Sequence, residues 1–116
     1  MAVNSQVTIQ PTLSSLAEEF YLELQMKNRT PETIKSYRWY LNRFLNFLDG
    51  ENLDYPNQLT VEILKAYHLE LFLGKGKQGK LGAAWVNPYL TPVRSFLQFL
   101  KESKWLPDDP ASAIKS

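Results

Sequence analysis

Apolar residues recur at spacings of three and four along most of this 116-residue chain, and almost nowhere do they alternate at a spacing of two. The chain therefore reads as helical throughout. Leu16, Phe20 and Leu24 recur every four residues, and Ser15 with Glu18 has the spacing of a capping box, so a first helix is expected from about 14 to 27, ended by Asn28 and Arg29. Thr30 followed by Pro31 starts a second: a side-chain oxygen at the cap, then a ring already fixed at the helical angle. Ile34, Tyr37, Leu41, Phe44, Leu45 and Leu48 then share one face at about 100° per residue, and this helix should stop at Asp49 and Gly50.

Pro56 and Asn57 mark a connection, after which Thr60 caps a third helix through about Leu73, with Val61, Leu64, His68, Leu71 and Phe72 as its inner positions. Gly74 closes it. Val93, Phe96, Leu97 and Leu100 mark a fourth helix ending near Ser103, and PDDPASAI suggests a short final turn. Pro88 and Pro92 each remove an amide donor, and a proline inside a helix costs roughly 3 kcal/mol. Asn87 before Pro88, or Thr91 before Pro92, can serve as a start, so a kink or break is expected between Asn87 and Pro92. The expected fold is all-α, a compact bundle of four main helices plus a short C-terminal turn or helix.

A chain of this length makes one domain with one core, and with three Trp, six Tyr and six Phe burial can offset the entropy of ordering it. It has no cysteine, which excludes a disulfide framework and thiolate metal sites, and one histidine, which excludes a histidine-rich metal site. No cofactor is implied. His68 reads as a packing residue, because a lone imidazole has no partner to orient it for catalysis. No apolar run is long enough for a membrane span and the first residues lack signal-peptide features, so a cytoplasmic protein is expected.

Net charge is only +1, but the signs come in blocks: −3 over residues 1–26, +4 over 27–48, −4 over 49–73, +5 over 74–104 and −1 over 105–116. Two basic blocks facing the same way would attract a polyanion despite the near-neutral total. The second of them opens on GKGKQGKLG, residues 74–82, where Gly74, Gly79 and Lys80 have the spacing of a phosphate-cradling loop. That loop needs a hydroxyl after the lysine and a strand before the first glycine. Leu81 holds the first position and an amphipathic helix the second, so the stretch reads as an inter-helix linker whose Lys75, Lys77 and Lys80 touch a nucleic-acid backbone.

On the second helix, Lys35, Arg38, Trp39, Asn42 and Asn46 line one flank at spacings of three and four. Cations suit phosphates, amides suit base edges and an indole suits a sugar or a thymine methyl. A solvated face, with Trp39 packed on a neighbouring loop, is the plainer reading. Thr91, Arg94, Ser95, Gln98 and Lys101 form a similar flank on the fourth helix, where Arg94 has a second reading as the partner of an acid on the third.

The order of RTPETIKSYRWYLNRFLNFL, TVEILKAYHLELFL and LTPVRSFLQFLKESKWLPDDPASAI resembles the amino-terminal core-binding domain of tyrosine recombinases, the phage-integrase and Xer-like group, over about Leu13 to Ile114. The resemblance implies a SAM-like bundle that grips one side of duplex DNA, its second and fourth helices running at the major groove. It implies a flexible segment over 1–12, the DNA-binding domain over 13–114, and the start of a linker at 115–116. The positions that match the family pattern are Thr30, Thr33, Lys35, Ser36 and Arg38, with Arg94 and Gln98. Strand breakage in such proteins belongs to a separate catalytic domain, so this chain is expected to be no enzyme by itself, with that domain, duplex DNA and neighbouring protomers as partners. Neither a membrane nor a small-molecule substrate is implied. The rival reading is a helical protein–protein interaction module using exposed aromatic anchors, Trp39, Trp85 and Trp105.

Overall fold

The computed structural model describes residues 11–73 and 83–106, with the backbone alone over 83–85. The expected turns at 74–82 and beyond residue 106, and with them Lys75, Lys77 and Lys80, lie outside the described residues. Four α-helices run in order: α1 (Leu13–Met26), α2 (Pro31–Gly50), α3 (Val61–Leu73) and α4 (Ala83–Glu102), with a 3₁₀ turn at Pro56–Gln58 before α3. α4 packs against each of the other three, and α1 also packs against α2.

The first helix starts earlier than its apolar spacing suggests. Thr12, not Ser15, is the N-cap: its Oγ1 accepts the Ser15 N–H at 3.2 Å, and the Ser15 hydroxyl donates to the Thr12 carbonyl at 2.9 Å. Leu13 is thereby drawn into the core, and its N–H donates to the Asp54 carbonyl at 2.7 Å, tying α1 to the connection before α3. α2 begins as expected, with Thr30 Oγ1 accepting the Thr33 N–H at 3.1 Å and Pro31 in the first turn.

Helices α1, α2 and α4 end in the same way, each followed by a non-glycine residue in the left-handed conformation. Asn28, Asn52 and Lys104 take positive φ of 64°, 61° and 67°, and the next residue's N–H returns to a carbonyl five residues back: Arg29 to Leu24, Leu53 to Leu48, Trp105 to Leu100. These are Schellman closures, and asparagine tolerates the left-handed conformation that two of them require.

The fourth helix departs from expectation at its start. It runs unbroken from Ala83 through Pro88 and Pro92. Pro92 is buried, and the Thr91 hydroxyl donates to the Asn87 carbonyl at 3.1 Å, adding a bond in the turn where Pro92 has no amide to offer. Burial of Val86, Leu90, Val93, Leu97 and Leu100 along one side holds the helix together across both rings.

The core joins Leu16, Phe20 and Leu24 of α1, Leu41, Phe44 and Leu48 of α2, Leu64, Tyr67 and Leu71 of α3, and the α4 stripe. On α3, Leu64 and Leu71 are buried as expected, but the other inner positions differ. Tyr67 is fully buried, whereas Val61 and Phe72 are 39% and 43% exposed, and His68 is partly buried with its ring 5.5 Å from that of Phe72. No helix of the described residues is long and apolar enough to cross a membrane.

Candidate nucleic-acid interface

The end of α1, the turn after it and the outer side of α4 enclose a groove of about 520 Å³. Phe20, Leu24, Tyr37 and Phe99 form its apolar lining. Lys27, Arg29 and Arg94 bring three cations to it, Glu23 and Glu102 two carboxylates, and Ser95 and Gln98 a hydroxyl and an amide. The Phe20 ring sits 5.6 Å from those of Phe96 and Phe99 and 6.3 Å from that of Tyr37, so the lining is one aromatic cluster shared by α1, α2 and α4.

Two ties shape the charge along the groove. Lys27 Nζ lies 3.5 Å from Glu23 Oε2, one helical turn away, and Gln98 Nε2 donates to Glu102 Oε2 at 2.9 Å. Arg29 is exposed, and its backbone is held by the closure on Leu24. Its guanidinium makes no hydrogen bond or ion pair among the described residues.

The expected α2 residues divide between two sides. Tyr37 lines the groove and the Tyr40 ring meets Tyr89 of α4 edge-on at 4.8 Å, which fixes where α4 lies. At about 100° per residue, Thr33 and Ser36 fall on that side, while Lys35, Trp39, Asn42 and Asn46 turn away from it. All four of the latter are exposed, Trp39 to 70%. Thr30 is occupied as the α2 cap, its hydroxyl donating to Thr33 Oγ1 at 2.9 Å.

Arg38 belongs to neither side. Its Nη1 lies 2.9 Å from Glu18 Oε2 and its guanidinium carbon 4.2 Å above the centre of the Tyr21 ring, so it bridges α2 to α1. Burial pushes the Tyr21 phenol up to about 12, against the pull of the Arg38 charge. Since both partners of the ion pair are more than half exposed, it is worth about 0–1 kcal/mol.

On α4, Arg94 and Gln98 enter the groove, while Thr91 and Lys101 are exposed along the helix. The concave surface is therefore made by α4 with the end of α1 and Arg29, and α2 adds only Tyr37 to it. One acid of α3, Glu70, pairs with an arginine of α2: Arg43 Nη2 lies 3.1 Å from Glu70 Oε2, with the two side chains only 5% and 11% exposed. Sequence reasoning missed Lys27 and Arg29 as lining residues, although they head the first basic block. Trp105 is 39% exposed, and the side chain of Trp85 lies outside the described residues.

Comparison with known proteins agrees with this bundle. Residues 17–104 match the family model described as phage integrase, N-terminal SAM-like domain. A tyrosine recombinase XerD of Haemophilus influenzae is 30% identical over 98 residues, covering 84% of this chain and 30% of that protein. XerD of Pasteurella multocida is 31% identical over 104 residues, covering 89% and 33%. A tyrosine recombinase XerC of Halalkalibacterium halodurans is 28% identical over 92 residues, covering 78% and 29%. The chain thus spans about a third of the length of these curated relatives. No solved structure matches it significantly. With the family model covering most of α1 and all of α2 to α4, the chain belongs to the N-terminal SAM-like domain family of the phage integrases, the amino-terminal domain of tyrosine recombinases.

Proposed function

We propose that this domain docks on the duplex DNA of a recombination half-site in the cytoplasm and orients a catalytic domain carried elsewhere in the protein, having no catalytic role itself. The observation that carries this reading is the groove, where Arg94, Gln98 and Ser95 of α4 line the same concavity as Lys27 and Arg29. Cations there neutralise phosphates and set register, while the amide and hydroxyl offer hydrogen bonds to base edges or sugars. Thr33 and Ser36 extend the polar surface on the α2 side. Titration of a short duplex at several salt concentrations tests it: with about four phosphate contacts, the slope of log K against log salt should be near −4. Amide shifts should concentrate on α4 and the α1–α2 turn, and an absence of shifts at low salt would sink the reading.

One observation favours a second reading, contact with another protein. On α3, Val61, Leu69, Phe72 and Leu73 are each 39–53% exposed and fall on one side of the helix, opposite the buried Leu64, Tyr67 and Leu71. An exposed apolar face of this kind, with the exposed Trp39 elsewhere, suits a protein partner. Sedimentation of the chain at rising concentration should then show association that Phe72→Ser abolishes while DNA binding persists.

A further inference from the structure

Resting on the reading of α3 as a protein-contact face, we propose that its partner is a basic amphipathic helix of another protein, laid along α3 with its cations toward the acidic connection between α2 and α3. Val61, Leu69, Phe72 and Leu73 are 39%, 53%, 43% and 51% exposed. At about 100° per residue they fall within an arc of about 120°, which they share with Glu62 and Lys65. A strip of large apolar side chains along one helix is the surface that an amphipathic helix covers with residues spaced by three and four. Tyr55, 37% exposed in the connection, adds an aromatic ring ahead of the strip.

Charge decides which amphipathic helix fits. Asp49, Glu51, Asp54 and Glu62 are all exposed and none forms an ion pair among the described residues, whereas Glu70 is already engaged by Arg43. Over residues 49–73 only Lys65 opposes these four acids. The stretch that carries them is held by its own bonds: the Leu53 N–H reaches the Leu48 carbonyl at 2.9 Å, the Asp54 and Tyr55 N–H groups both donate to Gln58 Oε1 at 2.8 and 2.9 Å, and Thr60 Oγ1 accepts the Ile63 N–H at 3.2 Å. It is a run of fixed turns that ends on the cap of α3. An apolar strip with negative charge at its head favours lysine or arginine on the incoming helix and disfavours a polyanion. A second copy of α3 would bring the same acids with only Lys65 to oppose them. No α3 residue lines the groove, so such a partner and DNA do not compete for the same side chains.

The test titrates this chain with a synthetic peptide of about 18 residues, long enough to hold a helix, with leucine on one side and lysine on the other. The same peptide with glutamate in place of lysine is the control. The lysine peptide should bind in the micromolar range and shift the amides of α3 and of residues 49–60, and the glutamate peptide should bind at least about tenfold more weakly. Phe72→Ser should weaken binding of the lysine peptide about tenfold, the effect of losing an anchor side chain, and Leu69→Ser takes its place should that variant fail to fold. Glu51→Gln combined with Asp54→Asn should weaken it about threefold and flatten its salt dependence. Trp39→Ser, which removes an exposed ring from α2, should leave it unchanged. Equal or tighter binding of the glutamate peptide would overturn the proposal, as would amide shifts confined to the groove or to α2. Self-association of the chain without binding of the lysine peptide would overturn it too, leaving the protein-contact reading standing with a second copy as the partner. A chain that neither associates nor binds either peptide would overturn both.

Discussion

Replacing Glu70 with leucine should lower the unfolding free energy by about 3–5 kcal/mol, enough to leave a domain of ordinary stability partly unfolded. The cause is the cation left behind. Arg43 is 5% exposed, its Nη2 lies 3.1 and 3.4 Å from the two oxygens of Glu70, and its guanidinium carbon lies 5.2 Å from the Tyr89 ring centre. Without the carboxylate, that charge would be held where water cannot solvate it. The double variant Arg43→Met with Glu70→Leu should recover to within about 1 kcal/mol of the wild type or exceed it, because two desolvation costs vanish with the pair and methionine packs well on an aromatic ring. Urea unfolding with an unchanged m-value measures both. A single-variant loss below about 1 kcal/mol would mean that the pair is hydrated and the α2–α3 contact rests on apolar packing alone.

This pair also marks the limit of what the chain discloses before it folds. Arg43 stands on the side of α2 that its periodicity assigns to solvent, and the packing of α3 and of Tyr89 of α4 across that side buries it. No local signal carries such information, since Glu70 is 27 residues away. Features fixed by neighbouring residues were legible: the Thr30–Pro31 start, the end of α1 at Asn28, and the buried stripe of α4. The cap of α1 was misplaced because Thr12 and Ser15 both precede apolar periodic residues, and the choice depends on the distant bond from Leu13 to Asp54. The inner face of α3 was legible at Leu64 and Leu71, but the helix is apolar on two sides, so Val61 and Phe72 fit the stripe as well as Tyr67, which is the residue buried between that pair. The prolines of α4 argued for a break on local cost alone, and the buried length of the helix outweighs that cost. Of the candidate interface, the residue types were readable, but their partition was not. Tyr37 and Tyr40 meeting α4 sends Thr33 and Ser36 one way and Lys35, Trp39 and Asn42 another, and that depends on where α4 packs.

Phe20→Ala should be comparably damaging, at about 3–5 kcal/mol, and should also unmake the groove. The Phe20 side chain is 2% exposed, and its ring lies 5.6–6.3 Å from Tyr21, Tyr37, Phe96 and Phe99, contacts that join α1 to α2 and α4 at once. A cavity at that position cannot close by a shift of one helix, because movement toward α4 opens the α2 side. The cost should therefore fall near the upper end of the range for this substitution, whereas Phe20→Leu, which keeps an apolar filling, should cost less than half as much. The same ring lines the groove, so any residual folded fraction of the alanine variant should bind DNA more weakly than the leucine variant under conditions where both are mostly folded. Chemical denaturation and duplex titration of the two variants separate the stability effect from the groove effect. Equal DNA affinities after correction for folded fraction would show that the aromatic lining contributes nothing to the proposed docking on DNA.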